Sequence, residues 1–313
     1  MAQITPIKFS NELQKQLFPD NSFYKQSRVE TGIGASVESV EIPIAGDAGA
    51  ALSGNPTLPV AITARTDNKK SYTVEQLYTS PYLVTREESI VLNYDKVRDL
   101  AQSLAMSVNT RASDIAAIEW GATLAANIVR TTGTTNRLST VTGTTGSRKR
   151  IIEVDMQNVR LKFNKMNLPM MGKGDIWGLL TPEMVEDLLL IDKFVDADKT
   201  GELSKLKNGE IGYILGMNLL MRNNGVGSAG VMYNVDATVK RTIDEALAVT
   251  DNAAAIFWHK SMVRHAEGHA ETIINRKPAG YLGATVIEAV VRFGATFDRT
   301  DQKGIVALVE TNV

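Results

Sequence analysis

Residues 176–194 read IWGLLTPEMVEDLLLIDKF, an apolar run that passes straight into a helical pattern with a carboxylate in its first turn. Enzymes often place a catalytic group at such a handover, so the role of Glu183 separates an active site from a structural joint. Ile176 to Leu180 suits a short strand buried on both faces. Thr181 is placed to cap the next helix, because its hydroxyl accepts from an orphan backbone N–H one turn on. Pro182 fits the first helical position, where its missing N–H costs nothing. Glu183 sets negative charge at the positive end of the helix dipole, an effect of about 0.3–1 kcal/mol. Met184, Val185, Leu188 and Leu189 form one apolar face. Every residue has a structural task, and the stretch reads as a joint.

The 313-residue chain is 43% hydrophobic and 22% charged, enough apolar material for one large domain or two ordinary ones. Lys+Arg number 34 against Asp+Glu 35, a net charge of -1, which argues against a protein whose main task is gripping nucleic acid. There are no cysteines, so disulfides, thiolate metal sites and thiol nucleophiles are excluded. The first twenty residues, MAQITPIKFSNELQKQLFPD, lack the basic and apolar regions of a secretory signal. No run approaches the ~18 apolar residues of a membrane helix. The expectation is a soluble chain made in the cytoplasm.

Along the chain, residues 1–35 are polar, broken by Pro6 and Pro19, and predict an arm that orders only against something else. SVESVEIPI (36–44) reads as a strand, and AGDAGAALSGNPTLPVA after it has almost no bulky side chains. ITARTDNKKSYTVEQLYTSPYLVT then returns with β-branched and aromatic residues after a TDNKK turn, giving a long protruding β-arm. From Tyr94 the apolar spacing predicts a helix running toward Arg130, roughly 35 residues and about 50 Å long. Asn93 or Asp95 is placed to cap it, and Gly121 to bend it or end it early. Its Arg98, Asp99, Arg111, Asp114 and Glu119 read as a solvated stripe. RTTGTTNRLSTVTGTTGSRKR (130–150) reads as a Thr/Gly-rich linker and the best internal boundary.

Beyond that boundary Asp155 is placed to cap a helix whose Met156, Val159, Phe163 and Met166 share a stripe. GEIGYILGMNLLMRNNGVG (209–227) reads as a Gly-punctuated strand ending in an NNG turn, and AAAIFWHKSMV as another buried strand. GATVIEAVVRFGATFD and GIVALVE, joined by RTDQKG, predict an antiparallel hairpin. Helices and strands are segregated rather than alternating, which points to an α+β fold.

Chemical signatures fail one by one. His259, His265 and His269 are the only histidines, and the last two are spaced i, i+4 as a helical zinc site requires. Gly268 lies between them, no HExxH glutamate accompanies them, and a strand at AIFWHKSM splays His259 away. MMGKGD lacks the first glycine and the Ser/Thr of a phosphate loop, and TGIGAS is half a dinucleotide fingerprint with no strand before it. DKFVDADKTGE lacks calcium-loop spacing, no G-x-S-x-G occurs, and the scattered aromatics form no stacking platform. No catalytic, cofactor-binding or metal-ligating residue is assigned, and no cofactor is expected.

What remains is a chain with an arm, a projecting loop and a beam helix, features suited to a building block whose individually weak contacts are multiplied by symmetric closure. The order DMQNVRLKFNKMNLP, DIWGLLTPEMVEDLLL and NGEIGYILGMNLLMRNN resembles the central region of tailed-bacteriophage major capsid proteins. There a helix, a strand ending in a TP-type helix start and a G-x-x-G strand with an apolar tail recur in this order. AGYLGATVIEAVVRFGATFDRTDQKGIVALVE is similar to that family's closing β-strands, and YTSPYLVTREE fits the segment before its long helix. The resemblance covers most of the chain in layout and is specific from about Asp155 to Asn224 and from Ala279 onward.

It implies the Hong Kong ninety-seven (HK-type) capsid fold. Residues 1–35 are then the N-arm, 36–85 the extended loop, 86–150 the peripheral domain with its spine helix, 151–270 the axial domain and 271–313 the return strands of the peripheral domain. The implied function is self-assembly into hexamers and pentamers of an icosahedral virion shell around double-stranded DNA, without sequence-specific binding, formed in the host cytoplasm and away from membranes. Ile42, Leu58, Arg65, Lys69 and Lys70 become the subunit-contact candidates. Some relatives carry a charged scaffold segment before the arm; this chain starts almost at the arm, so any scaffolding protein is expected to be separate. Portal and decoration or head-completion proteins are further implied partners. Some relatives also cross-link a loop lysine to a neighbour's asparagine; for Lys69 and Lys70 an ordinary polar turn is the simpler reading. The competing readings are an encapsulin-like compartment of the same fold, a metal-dependent enzyme built on His259, His265 and His269, and a monomeric binding module.

Overall fold

The computed structural model describes residues 21–31, 37–46, 49, 51, 53–54, 64–86, 88, 95–168, 174–191, 212–222, 231–276, 278, 280–281 and 283–313. A 3-10 turn at Ser22–Lys25 precedes β1 (Arg28–Glu30), β2 (Ser39–Ile44), β3 (Asn68–Thr73), β4 (Glu75–Tyr78) and β5 (Tyr82–Val84). Helix α1 (Lys96–Glu119) leads to β6 (Ile128–Arg130), β7 (Asn136–Leu138) and β8 (Ser147–Lys149). Then come α2 (Glu153–Lys165), β9 (Ile176–Leu180), α3 (Pro182–Leu189), β10 (Tyr213–Ile214), β11 (Met217–Met221) and β12 (Val231–Tyr233). The chain closes with β13 (Asn252–His259), β14 (Val263–Arg276), β15 (Thr285–Phe297) and β16 (Ile305–Val309).

A seven-stranded mixed sheet runs β10-β11-β9-β13-β16-β6, with β12 beside the start of β13. Both of its faces are covered, and the sequence shows why. In β13, Ala253, Ala255 and Phe257 face one way, toward Met156, Val159 and Phe163 of α2 and Met184 and Leu188 of α3. Ala254, Ile256 and Trp258 face the other way, toward Ala116, Ala117 and Trp120 of α1. The period-two alternation of a strand therefore serves two cores at once, and all of β13 and β16 is buried. Gly178 of β9 lies under the Phe257 ring, where an added Cβ would come within 2.6 Å of a ring carbon.

The five-stranded sheet runs β1-β14-β15-β4, with β5 following β4 along the same edge of β15. Leu104 and Val108 of α1 cover one face of it, packing on Val84, Ile287, Ala289 and Val291. One helix thus rests its N-terminal half on one sheet and its C-terminal half on the other. β2 and β3 form a separate two-stranded hairpin root, and β7 and β8 another.

The opening joint forms as its residues dictate: Thr181 Oγ1 accepts from the Met184 N–H at 3.4 Å, and Pro182 begins α3. Asp155 works from inside the first turn of α2, not ahead of it, accepting from the backbone N–H groups of Ile152 and Thr132 at 3.1 Å each.

Several expectations need correction. The long helix spans 24 residues, about 36 Å, with Asp95 as its cap. It stops at Trp120 and Gly121 because Trp120 is buried and the next free N–H groups find another acceptor. Thr123 and Leu124 both donate to Gln302 Oε1 at 2.9 Å, which satisfies the backbone outside the helix. Its supposed solvated stripe is partly engaged, with Asp114 paired to the buried Arg222 at 2.6 Å and Arg111 paired to Asp244. The 130–150 stretch is an ordered hairpin rather than a linker, held by Arg148, whose guanidinium is buried and donates to Thr145, Asn312 and Asp251.

β15 and β16 are not a hairpin: β15 pairs with β14 in one sheet, β16 with β13 and β6 in the other. A hairpin would leave the apolar Ile305–Val309 at an edge, whereas the central position buries both faces. The 209–227 strand is broken at Leu215 and Gly216, both at positive φ, into the two-residue turn of β10 and β11. Its NNG turn lies outside the described residues. Asn68, Lys69 and Lys70 belong to β3 rather than to a turn.

Candidate assembly surfaces

The hairpin root of β2 and β3 is where the expected contact residues gather, and the chain divides them. Ile42 is 4% exposed and packs with Tyr72, Val74 and Ala266 inside its own subunit. Lys70 also turns inward: its ammonium donates to the Phe297 carbonyl at 2.5 Å and sits 3.2 Å from the centre of the Phe297 ring. Burial lowers its pKa to about 8, while Glu119 and Asp298 oppose the shift. Ile42 has no surface to offer a neighbour and Lys70 only part of its own, because β2 and β3 alternate inward and outward and these two fall on inward positions. Lys69 points out, paired with Glu41 at 2.7 Å, and Arg65 is exposed, paired with Asp67 at 2.7 Å. Leu58 lies outside the described residues.

The root sits on β15 at Gly294, where an added Cβ would come within 2.5 Å of the Thr73 carbonyl. Arg292 donates to the Val37 carbonyl at 2.8 Å and fixes the entry of the hairpin. Beyond the root no described element covers the same face of the sheet. Tyr78 stands opposite Val290, and Leu83 opposite Val286. Tyr78 is 75% exposed and Leu83 46%. The sequence carried a signal for this face, since TVIEAVVRF has apolar residues at both parities of the strand.

Residues 1–20 lie outside the described residues, but 21–31 do not behave as an arm in search of a partner. Phe23 and Tyr24 are buried in an aromatic cluster with Trp120, Trp258 and Phe293. Trp258 Nε1 donates to the Gln26 carbonyl at 2.8 Å, and Ser27 Oγ is 2.7 Å from His265 Nδ1. An ion cluster of Arg28, Glu30, Arg264 and Asp298 closes the segment. Two aromatics in a polar stretch were the missed signal.

The same segments also place two of the histidines apart. His259 ends β13 in the seven-stranded sheet and His265 lies on β14 in the other, edge-on to Tyr24 and stacked with Phe293. Burial lowers the His265 pKa to about 4, so the ring is neutral at ordinary pH. The side chain of His269 is outside the described residues. Among the described residues no group of three His, Asp or Glu is placed to hold a metal ion.

Glu183 works as the joint reading requires. Burial pushes its pKa up, but hydrogen bonds from the Thr140 hydroxyl, its own N–H and Thr181 outweigh that and hold it below the usual range. Nearby Asp187 accepts from Arg137 at 3.2 Å and from the Ile151 N–H at 3.3 Å. Arg137 also pairs with Glu310, whose burial raises its pKa to about 7 despite that partner. The cluster ties the β7–β8 hairpin to α3 and the end of β16. No helix among the described residues is long and apolar enough to cross a membrane.

No protein-family model and no curated protein sequence matches the chain. Solved structures do. One from Mycobacterium phage Che8 superposes with a TM-score of 0.64 at 15% identity, covering 98% of this chain and 97% of the other. The capsid of Cyanophage P-SCSP1u gives 0.69 at 14% identity over 97% and 92%. The mature capsid of bacteriophage PhiM1 gives 0.66 at 11% identity over 97% and 91%. The two sheets, the bridging helix and the hairpin root therefore make up the HK-type capsid fold, shared with these phage structures over nearly the whole of either chain.

Proposed function

We propose that the chain is a major capsid protein, copies of which assemble as hexamers and pentamers into an icosahedral shell around the double-stranded DNA of a tailed phage. The observation that carries this reading is an architecture shared with phage capsid structures over 97% of this chain and 91–92% of theirs. The seven-stranded sheet with α2 and α3 is the axial domain, and the five-stranded sheet with α1 the peripheral domain. On this division the 128–149 stretch and β16 go with the axial domain, as their sheet partners suggest. Of the expected 1–35 arm, residues 28–30 add a strand to the peripheral sheet, and of the expected 36–85 loop, residues 75–78 and 82–84 belong to that sheet, so the extended loop proper spans 36–74, with its base on Gly294.

The loop and the open sheet face supply contacts to neighbouring copies: Leu58, Arg65 and Lys69 from the loop, Tyr78 and Leu83 from the face. Ile42 and Lys70 instead set the angle at which the loop leaves the body. The role is structural, not catalytic. A near-neutral subunit, with a net charge of -1, encloses DNA without gripping it. A separate scaffolding protein, a portal and decoration or head-completion proteins complete the particle, which forms in the host cytoplasm.

Negative-stain electron microscopy beside size-exclusion chromatography tests this. Closed shells, tubes or rings of five and six copies are expected from the purified protein, alone or with its scaffold. A persistent 34.1 kDa monomer at high concentration under both conditions would overturn it.

A further inference from the structure

β14 is paired with β15 on one edge, but on the other only at its start, where Arg28–Glu30 lies beside Arg264–Ala266. After the bulge between Glu267 and Ala270, no described strand adds to that second edge, and the residues from Ala270 to Arg276 are exposed. The direction of the backbone groups there follows from β15. Ala289 accepts from the Thr79 N–H at 3.0 Å and donates its own N–H to Thr79 Oγ1 at 3.0 Å, so both its polar groups point away from β14. The Thr272–Ala289 pair is therefore a non-hydrogen-bonded rung of the antiparallel ladder. By alternation, the N–H and C=O groups of Ala270, Thr272, Ile274 and Arg276 point out of the sheet. A row of outward backbone groups is a template for another strand.

We propose that Ala270 to Arg276 pairs antiparallel with the same segment of a second copy, about a two-fold axis normal to the sheet and centred on Ile273. Such an axis keeps like faces together, so residues opposite each other must share parity. Centring on Ile273 sets Ala270 against the second copy's Arg276, and Thr272 against its Ile274. Every outward backbone group is then engaged. Centring on Ile274 would instead set Ala270 against Pro278, which has no N–H to give.

The side chains suit the same register. Ile273, 37% exposed, meets its own counterpart, and on the same face Asn275 stands opposite Glu271, an amide donor beside a carboxylate. On the other face Ile274, 41% exposed, lies beside the second copy's Thr272. The paired segment is only ~20 Å long and buries well under the ~800 Å² per partner of a standard interface. The contact is weak by itself and gains strength by repetition in a closed shell. In that respect it rests on the capsid reading.

The chain has no cysteine, which makes the test direct. In Ile273→Cys the two sulfurs meet at the central non-hydrogen-bonded pair, where Cα atoms lie ~4.5 Å apart, inside disulfide range. In Asn275→Cys the counterparts are displaced by four residues, ~13 Å, and cannot bridge. Particles of each variant are confirmed by electron microscopy, oxidised and run on a non-reducing gel. Covalent dimers from Ile273→Cys alone support the pairing. Absence of a dimer from Ile273→Cys, or equal cross-linking of Asn275→Cys, overturns it. If neither variant forms particles, the capsid reading has failed separately. Oxidation of the concentrated soluble protein then decides the pairing by the same two bands.

Discussion

The two sheets of this chain are built to opposite ends. The seven-stranded sheet hides both faces: α2 and α3 cover one, while α1 and the 21–25 segment cover the other. Among the described residues, the five-stranded sheet hides one face, leaves Tyr78 and Leu83 exposed on the other, and has no strand along half the edge of β14. Buried apolar area stabilises a fold at about 25 cal/mol per Å², so the first sheet carries the stability of the subunit. Exposed apolar area and unpaired edges stabilise nothing until a neighbour arrives. On the proposed function, stability and assembly are thus separated in space, and substitutions should tell them apart.

The largest effect is expected at Trp258, buried between Trp120 and Phe23 on the face shared by α1 and the N-terminal segment. Trp258→Ala should cost about 3–5 kcal/mol in denaturant unfolding and release residues 21–31 to rapid hydrogen exchange. A loss below about 1 kcal/mol would show that the covered sheet is not the source of stability.

Next comes Glu310, which faces Arg137 and Arg148 on the β7–β8 hairpin and Glu183 and Asp187 on α3. Its folded pKa is raised from 4.5 to about 7, so its favourable contribution is full below pH 4.5 and lost as pH rises through about 7. That window corresponds to a change on the order of 3 kcal/mol at about 1.4 kcal/mol per unit. Stability measured across pH 4–8 should therefore shift in favour of Glu310→Gln, relative to the wild type, as pH rises. A difference that stays constant with pH would remove the buried carboxylate from the account.

Gly294→Ala acts where the hairpin root rests on the five-stranded sheet. Its Cβ meets the Thr73 carbonyl, so the hairpin root must lift. The expected cost is about 1–3 kcal/mol, with faster hydrogen exchange in β2 and β3 and unchanged exchange in β13 and β16. Lys69→Ala should do least to the fold, under about 1 kcal/mol for an exposed pair, yet lower particle yield. Equal losses of stability and yield in Lys69→Ala would erase the proposed division.

How legible was this in the residues? The joint at 176–189 was readable because each of its signals is local: a strand-length apolar run, a threonine cap, a proline at the first helical position. The stripe of α2 and the buried character of β13 were readable for the same reason. The end of α1 was readable only as one option at Gly121, because the acceptor that decides it, Gln302, lies 178 residues from Leu124. The 130–150 stretch looked like a linker since threonine and glycine say little locally. Its order comes from Arg137 and Arg148 reaching Asp187, Glu310 and Asp251, all distant in sequence.

The contact residues show the same limit. Sequence placed Ile42, Arg65, Lys69 and Lys70 in one projecting loop, but whether a strand residue faces its own body or the outside depends on which face the rest of the chain covers. A shift of one position reverses the answer. Composition and order by themselves determined an α+β chain without cysteines or an excess of basic residues, its beam helix, its strand–cap–helix joint and its resemblance to capsid subunits. These depend on residue type, period and near-neighbour spacing. The pairing of β16 inside the seven-stranded sheet, the anchoring of Phe23 and Tyr24, and the edge of β14 that no described strand covers were decided only in three dimensions, because partners far apart in the chain compete for the same buried surface and backbone groups.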